Sequence, residues 1–191
     1  WQITSKMREL SLHILDIIEN SRRANSDLIK IEILEKPDSN LLKIIIEDNG
    51  SGISREKLEK IDDPFITSRT TRDVGLGISL FKSAAESCGG DLEIKSQIGE
   101  GTEVEVDFEY NHIDRAPLGD ITTTLSNFIA ANGEEVDIVY QHQYKDNSFN
   151  FDSREIKSEL DDVSIQSRQV TAWIREYIGE NLEEIRGGEA F

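Results

Sequence analysis

The order of helical and strand patterns along the sequence predicts an α+β fold, in which helices alternate with β-hairpins. Apolar residues recur every three or four positions from Met7 to Asn25, which is typical of an amphipathic helix. Strand patterns at 28–35 and 41–48 follow, joined by a polar turn, and the order helix then hairpin occurs twice more. A chain of 191 residues can hold one α/β domain of common size and a small appendage.

The second predicted strand ends at an acidic residue and a glycine-rich turn. The unbroken isoleucine run at 44–46 predicts a strand that is buried on both faces, so Asp48 is expected at the strand's end, on the floor of a pocket. Gly50 and Gly52 have no Cβ and would allow positive φ angles and the close approach of a flat ligand. Asp-Asn-Gly is also an ordinary turn sequence, so this segment indicates a binding site only in combination with others.

A long loop and a second pair of glycines come next. Ser54 is expected to cap a short helix, after which residues 62–74 show weak periodicity and predict a loop of the length typical of lids. Arg69 and Arg72 lie in this loop, just before a helix predicted at 75–88. Free N–H groups at the start of that helix, together with the two arginines, are suited to binding phosphate.

The sequence divides into two predicted units. A second hairpin, with strands at 91–96 and 102–110, completes a first unit at 7–112, and the segment 115–119 has the composition of a boundary. The second unit, 118–191, is expected to be a small α+β domain, and the stripe of apolar and aromatic residues on its last helix is expected to pack against its hairpin rather than to form a groove for a partner. Its predicted elements are a helix at 120–131, strands at 136–144 and 148–151, a short helix after Asp152, and the last helix, which stops at Gly187-Gly188.

Composition and charge exclude several classes of function. The net charge is -17, from 21 basic and 38 acidic residues, so most of the surface would repel a phosphate backbone and nucleic acid is not expected as a partner. Cys88 is the only cysteine, which excludes an intramolecular disulfide and fits a reducing compartment. With no apolar run of membrane length and no signal peptide pattern, we expect no membrane association and a cytoplasmic location. Met7 is a candidate natural start, which would make residues 1–6 a foreign lead-in.

Several familiar catalytic and nucleotide motifs are absent from the sequence. There is no P-loop, there are no protein kinase signatures, and the Rossmann fingerprint fails because Leu80 stands three positions after Gly77, where that fingerprint has a glycine. His13, His112 and His142 have no metal-ligand spacing and are expected to be surface or structural residues. No serine or cysteine nucleophile can be combined with a base and an oxyanion turn.

The remaining polar segments occur in an order that resembles one family. They are Asp16 with Glu19-Asn20, Asp48–Gly52, Pro64-Phe65, Val74–Gly77 and Gly99–Thr102. In this order they closely resemble the N, G1, F, G2 and G3 boxes of the GHKL superfamily, which includes gyrase, the heat-shock chaperone, histidine kinases and MutL. The resemblance covers roughly Met7 to Glu109. It implies the Bergerat fold, a two-layer α/β sandwich with a mixed sheet and helices on one face.

The resemblance also implies a site for ATP and Mg²⁺. Asp48 would accept a hydrogen bond from the adenine amino group, a donor that a carboxylate in a sheltered pocket holds better than an amide does. Asn20 would ligate Mg²⁺, which takes few protein ligands and several phosphate or water oxygens. Thr102 would hydrogen-bond behind Asp48 and orient it. The other implied nucleotide contacts are the turn residues Gly50, Gly52 and Ile53 and, for the phosphates, Arg69, Arg72, Gly75, Leu76 and Gly77.

The candidate catalytic base departs from the pattern of the family. Its hydrolysing branches have a glutamate four residues before the asparagine, and here that position is Asp16, one methylene shorter. Glu19 lies about 100° around the helix from Asn20 and is a poorer candidate. Asp16 could orient a water molecule or a phosphoacceptor over a longer reach, or it could only support a ligand of the metal.

Within the superfamily the sequence is most similar to the histidine kinases and anti-sigma factors, because the lid is short. Segments 7–16 and 114–120 look most like small stand-alone bacterial ATP-binding proteins that are often encoded beside iron-only hydrogenase genes. The implied function is to bind Mg-ATP and either hydrolyse it or transfer the γ-phosphoryl group to a partner protein. The alternative is a non-catalytic switch in which ATP or ADP controls binding of a protein partner. Either function is compatible with a homodimer.

Overall fold

The structure is a computed structural model that describes residues 9–61 and 76–188. The predicted lid, with Arg69, Arg72 and Pro64-Phe65, lies outside the described residues, as do Gly75 and the segment around Met7. The helices are α1 (Leu10–Arg23), α2 (Arg55–Ile61), α3 (Leu76–Glu86), α4 (Ile121–Asn132), α5 (Ser153–Glu159) and α6 (Arg168–Arg186). The strands are β1 (Leu28–Lys36), β2 (Leu41–Asp48), β3 (Leu92–Gln97), β4 (Gly101–Glu109), β5 (Asp137–Tyr144) and β6 (Asn147–Asp152), and a 3-10 turn at Pro37–Ser39 joins β1 to β2.

The strands form one mixed six-stranded sheet in the order β3-β4-β2-β1-β5-β6. All neighbouring pairs are antiparallel except β1 and β5, which are parallel. The predicted α+β class is therefore confirmed. Asn25, with φ 59°, ends the first helical segment in the left-handed conformation that its type tolerates, as the sequence suggested.

Helices cover one face of the sheet, and on the other face, called the open face below, the side chains of the described strands are half-buried or exposed. Along β2 the burial alternates, with Leu42, Ile44 and Ile46 buried on the helix side and Ile45 half-buried on the open side. The prediction that this strand is buried on both faces is therefore wrong. Ile45 lies in register with Glu32 of β1 and Glu105 of β4, whose long side chains accompany it on the open face.

Ion pairs cross the strands on the open face of β1 to β4. Lys30 pairs with Glu47 at 3.0 Å, and Lys95 pairs with Glu103 at 3.0 Å. These side chains are at least one-third exposed, so each pair contributes little stability, of the order of 0–1 kcal/mol. These ion pairs give this part of the sheet a charged surface.

The C-terminal elements continue the sheet of the first unit. β5 pairs with β1 along its whole length, with Leu28 opposite Asp137 and Glu35 opposite Tyr144. The same buried core contains residues from both predicted units. The segment between them also holds the start of α1, because the carbonyls of Pro117 and Leu118 accept hydrogen bonds from the first two N–H groups of that helix, at 3.0 and 2.8 Å. The division of the chain into one domain at 7–112 and a small domain at 118–191 stays a prediction.

The last helix packs as its apolar stripe predicted. Ile174, Ile178 and Leu182 are fully buried, and α6 contacts both strands of the β5–β6 hairpin as well as α4. Trp173 is the exception, with 46% of its surface exposed. No helix in the described ranges is long and apolar enough to cross a membrane.

A buried polar cluster joins α6 to β1 and β5. The Tyr140 hydroxyl donates to His142 Nδ1 at 2.6 Å, and His142 Nε2 donates to Glu35 at 2.7 Å, the arrangement that a neutral imidazole requires. Arg186 forms an ion pair with the same carboxylate. Burial lowers the pKa of His142, whereas the hydrogen bond from His142 and the charge of Arg186 outweigh burial and lower the pKa of Glu35. His142 is thus a structural residue in this cluster.

Candidate functional site

A cavity of about 390 Å³ opens at the end of β2, between the C-terminal half of α1, the glycine turn, α2, α3 and β4. Its volume lies in the range of small-ligand sites. Its lining residues are Ile17, Asn20, Ser21, Arg23, Ala24, Asp48, Ser51, Gly52, Ile53, Lys57, Ile78, Thr102 and Val104. Asn20, Asp48, Gly52, Ile53 and Thr102, which lie apart in the sequence, are therefore brought together here.

Asp48 is the acidic group at the bottom of this cavity. It is the last residue of β2, its side chain points to the helix-covered face, and the residue is 9% exposed. One carboxylate oxygen accepts a hydrogen bond from Ser21 Oγ at 2.7 Å, and the other accepts one from the Gly50 N–H at 2.8 Å. Each oxygen can accept a further hydrogen bond, so the carboxylate is held in place and can still bind a donor from a ligand.

Ser21 is the residue that sequence reasoning missed. It is 3% exposed and follows Asn20 on α1, and its hydroxyl has the orienting role that the resemblance implies for Thr102. Thr102 does lie directly opposite Asp48 in the β2–β4 register, but its hydroxyl pairs with Ser96 at 2.8 Å. The helical spacing placed Ser21 on the apolar stripe of α1, and its position facing the end of β2 depends on how α1 crosses the sheet.

The glycines of the turn pack against protein backbone. Gly52 has φ +68°, and a Cβ there would lie 2.0 Å from the Gln97 carbonyl oxygen. A Cβ at Gly50 would lie 2.8 Å from the Ala24 carbonyl oxygen, and one at Gly101 would lie 1.9 Å from that of Asp48. The missing side chains therefore let the turn fit between the end of α1 and the β3–β4 hairpin. The role suggested by the sequence, close approach of a purine, remains open for Gly52, which lines the cavity.

Ile53 is fixed at the cavity wall by its backbone. Its N–H donates to Ser96 Oγ at 2.8 Å, and Ser96 Oγ in turn contacts the Gly101 carbonyl oxygen at 2.7 Å and Thr102 Oγ1 at 2.8 Å. Ser96 therefore ties the turn after β2 to the β3–β4 hairpin. Lys57 reaches the same cavity from α2 and is the lining residue that adds a positive charge from that side.

Asn20 meets the requirements for a magnesium ligand. It lines the cavity, and its side-chain amide makes no hydrogen bond to any residue within 9–61 or 76–188. Those ranges hold no group of three or more His, Cys, Asp or Glu side chains that could hold an ion on their own. A single amide oxygen therefore suits Mg²⁺ only if the remaining ligands come from phosphate and water, which is the mode that this ion prefers.

Asp16 lies one helical turn before Asn20 but is not a lining residue of the cavity. A Cβ at Gly77, in the first turn of α3, would lie 2.8 Å from Asp16 Cβ and 3.1 Å from its Oδ2. Gly77 thus allows α3 to approach α1 closely at this carboxylate. Leu76 is the first residue of α3, so its backbone N–H lies at the helix start, as predicted. Glu19, the poorer base candidate, forms an ion pair with Arg22 at 3.0 Å.

Comparison with known proteins gives one family match and several curated relatives. Residues 6–112 match the family of histidine kinase-, DNA gyrase B- and HSP90-like ATPases. A non-motile and phage-resistance protein of Caulobacter vibrioides is 32% identical over 123 residues, which are 60% of this chain and 15% of that protein. An uncharacterized sensor-like histidine kinase of Rhizobium meliloti is 31% identical over 110 residues, 55% of this chain and 21% of the relative.

The histidine protein kinase DivJ of Caulobacter vibrioides is 28% identical over 109 residues, 55% of this chain and 18% of that kinase. The matches thus span about a fifth or less of the length of these relatives. The family match covers more than half of the chain and includes α1, the glycine turn and the β3–β4 hairpin that build the cavity. The chain therefore belongs to the histidine kinase-, DNA gyrase B- and HSP90-like ATPase family.

Proposed function

We propose that the cavity binds ATP with Mg²⁺ and that the protein either hydrolyses the nucleotide or transfers its γ-phosphoryl group to a partner protein. The observation that carries this proposal is the carboxylate of Asp48, which is nearly buried, held by Ser21 and the Gly50 N–H, and turned into a cavity of ligand size. A carboxylate at such a place needs a hydrogen-bond donor, and the exocyclic amino group of adenine is one.

The same carboxylate gives a reason for base selectivity. An ionised carboxylate only accepts hydrogen bonds, and guanine presents a carbonyl oxygen where adenine has its amino group. GTP would therefore set two acceptors against each other at a nearly buried carboxylate and leave Asp48 without its ligand donor, which is costly for a buried charge. ATP and ADP are expected to bind, and GTP is expected to bind much more weakly.

The metal would be held at Asn20, which lines the cavity from α1. Bound Mg²⁺ would neutralise phosphate charge, and Asn20 is the residue that would hold it by one oxygen. In our proposal Leu76 and Gly77 supply backbone N–H groups from the start of α3, and Arg69, Arg72 and Gly75 complete the phosphate contacts. Lys57 adds a further positive charge at the cavity wall.

Asp16 is the proposed base for hydrolysis or for a phosphoacceptor. Its carboxylate lies close to Gly77 and one turn from Asn20, which is the right neighbourhood for the γ-phosphoryl group. Asp16 does not line the cavity, so it can act as the base only if the bound nucleotide extends past Asn20 toward the start of α3. The identity of the partner and the closer resemblance to hydrogenase-associated proteins stay predictions.

A second candidate function is a nucleotide-controlled binding switch without turnover. The observation that favours it is the double attachment of α1: its C-terminal half lines the cavity, and its N-terminal N–H groups bond to the carbonyls of Pro117 and Leu118. α1 also packs on α4. A shift of α1 on nucleotide binding would therefore reach the C-terminal segment directly.

Calorimetry with ATP, ADP and GTP tests the binding proposal. Asp48→Asn keeps the shape of the side chain, and we expect it to weaken ATP binding by about 10- to 100-fold, the value of a charged hydrogen bond. Asp38→Asn, at an exposed position in the turn between β1 and β2, is the matched control and should bind normally. Equal affinity of Asp48→Asn and the wild type, or equal affinity for ATP and GTP, would contradict the assignment.

Turnover separates the two candidate functions. Wild type and Asp16→Asn are incubated with γ-labelled ATP and Mg²⁺, and both free phosphate and labelled protein are followed. An enzyme should lose turnover in Asp16→Asn while still binding ATP. Binding without turnover in the wild type, together with nucleotide-dependent capture of a partner, would favour the switch.

A further inference from the structure

Among residues 9–61 and 76–188, the sheet ends at β6, and no strand of these ranges pairs with the outer edge of β6. The N–H groups of Lys145 and Asp137 bond to the β1 side, so the odd-numbered residues of β5 point to β1 and the even-numbered ones point to β6. Residues 140, 142 and 144 of β5 stand opposite 151, 149 and 147 of β6. The N–H and C=O groups of Ser148 and Asn150 therefore point away from the sheet, and within the described ranges only β5 pairs with β6.

From Asn147 to Phe151 this edge lacks the charges that usually protect an edge strand, and the charge of Asp152, at the end of β6, is paired with Arg154 at 2.6 Å. The segment 147–151 reads Asn-Ser-Phe-Asn-Phe and carries no charge, in a chain whose charged fraction is 31%. The opposite edge strand, β3, differs: Glu93 and Lys95 project from it with more than half of their side-chain surface exposed. Exposed charges on an edge strand prevent strand addition, so β3 is protected and β6 is not.

The residues that neighbour Ser148 and Asn150 in the register, and the aromatic residues that pack on Phe149, are also uncharged. On the open face, Gln141 of β5 stands beside Asn150 in the register, and Gln143 stands beside Ser148. On the helix face, the ring of Tyr177 lies edge-on to Phe149 at 5.6 Å and is stacked on Trp173 at 5.1 Å. Trp173 is nearly half exposed. A neutral strip with an exposed aromatic residue thus borders the unpaired backbone groups.

We propose that this strip is a dimer interface, in which β6 of a second copy adds to β6 in the antiparallel direction. With the two-fold axis at Phe149, Ser148 of one copy stands opposite Asn150 of the other. The outward N–H and C=O groups of both residues then pair, and the two sheets become one. A second copy fits because the edge is self-complementary. Two chains of net charge -17 repel each other over most of their surface, so a contact between two copies is favoured at the uncharged segment 147–151.

Sedimentation of the full chain tests the proposal. From about 1 to about 300 µM, a range in which weak association is measurable, the mass should rise from 21.6 kDa toward twice that value. Asn150→Pro removes one outward N–H, which an edge strand tolerates, and should weaken the dimer by about tenfold or more while the melting temperature changes little.

Charge substitutions at the same two positions provide a control that does not depend on proline. In S148K/N150K, lysines of the two copies face each other, and the protein should stay monomeric. In S148K/N150E, each lysine faces a glutamate of the other copy, so dimerisation should return to wild-type strength or above. Circular dichroism of both variants checks that the fold is kept.

Three results would overturn the proposal. The first is a wild-type chain that stays monomeric over the whole range. The second is a dimer that forms equally well in Asn150→Pro and S148K/N150K. The third is failure of S148K/N150E to dimerise although it is folded. A monomer that binds an added peptide strand at this edge, with the same sensitivity to Asn150→Pro, would assign the edge to a different protein instead.

Discussion

Replacement of Ser21 by alanine should destabilise the protein without any change in its fold. The hydroxyl has one hydrogen, and it lies 2.7 Å from a carboxylate oxygen of Asp48 and 3.2 Å from the Ile17 carbonyl, so the bond to the charged acceptor is the one that it makes. Both Ser21 and Asp48 are buried. A hydrogen bond to a charged group is worth about 1.5–3 kcal/mol, so the melting temperature should fall by about 3–12 °C for a chain of this size.

A double-mutant cycle shows whether the hydroxyl acts through the carboxylate. In an Asp48→Asn background the acceptor is neutral, and Ser21→Ala should then cost only about 0.5–1.5 kcal/mol. Urea unfolding at neutral pH of the four proteins gives the difference, with Ser87→Ala as the control, since its hydroxyl bonds a helix carbonyl at an exposed site. The same cost of Ser21→Ala in both backgrounds would refute this account of how Asp48 is held.

The nucleotide affinity of the same variants provides a second readout. Ser21 and the Gly50 N–H fix both oxygens of Asp48 before any ligand arrives. Loss of one of these bonds leaves the carboxylate to be ordered on binding, at a cost of about 0.5–1.5 kcal/mol, so ATP should bind about 2- to 12-fold more weakly to Ser21→Ala. An unchanged dissociation constant would mean that Asp48 is held by the rest of the turn.

Three further changes have expected outcomes that unfolding measurements can check. Gly52→Ala should destabilise the protein by more than about 2 kcal/mol, because the added Cβ would clash with the carbonyl oxygen of Gln97 in β3. Gly99 is also at positive φ, but a Cβ there would have no atom within 4 Å, so Gly99→Ala should cost only about 1 kcal/mol. Arg186→Met should cost about 3–5 kcal/mol by leaving Glu35 buried with less compensation, and adding Glu35→Gln should recover much of the loss. The pKa values of His142 and Glu35 are both lowered in the folded state, so the stability that these two residues provide is complete above pH 6.5. This stability should fall on acidification, first below pH 6.5, where the histidine of the unfolded chain takes up a proton, and then below pH 4.5, where the glutamate of the unfolded chain does so. A melting temperature that rises between pH 6.5 and 4.5 would contradict this prediction.

Periodicity and turn chemistry were enough to predict the elements of the described chain. The alternation in 28–35 and 41–48, the capping asparagine at 25 and the glycines at 99 and 101 are local signals, and the strands and turns lie within a residue or two of their predicted bounds. What the sequence could not indicate was which strands become neighbours. The parallel pairing of β1 with β5 joins distant segments, so a chain that read as a domain with an appendage has one continuous sheet.

The residues of the candidate site that belong to a sequence motif could be predicted. Those whose role depends only on a contact between distant segments could not. Asn20, Asp48 and Thr102 do meet at one cavity. The partner of Asp48 was assigned wrongly, because Ser21 lies on the apolar stripe of α1 and serine there resembles an ordinary small core residue. Ile45 was assigned to a buried face for a similar reason, since a β-branched run does not reveal whether a second layer covers it.

The parallel pairing of β1 with β5 also determines when the sheet can be completed during synthesis on the ribosome. Leu28 pairs with Asp137, so 109 residues (137 minus 28) must be synthesised before this edge of β1 can be covered. At usual translation speeds this takes roughly 5–20 s. During that interval β1 of the nascent chain has apolar side chains and, on the side of β5, backbone groups without hydrogen-bond partners in the sheet. The N–H groups at the start of α1 also lack their acceptors until Pro117 and Leu118 have been synthesised. The sheet can therefore be completed only after β5 has been synthesised.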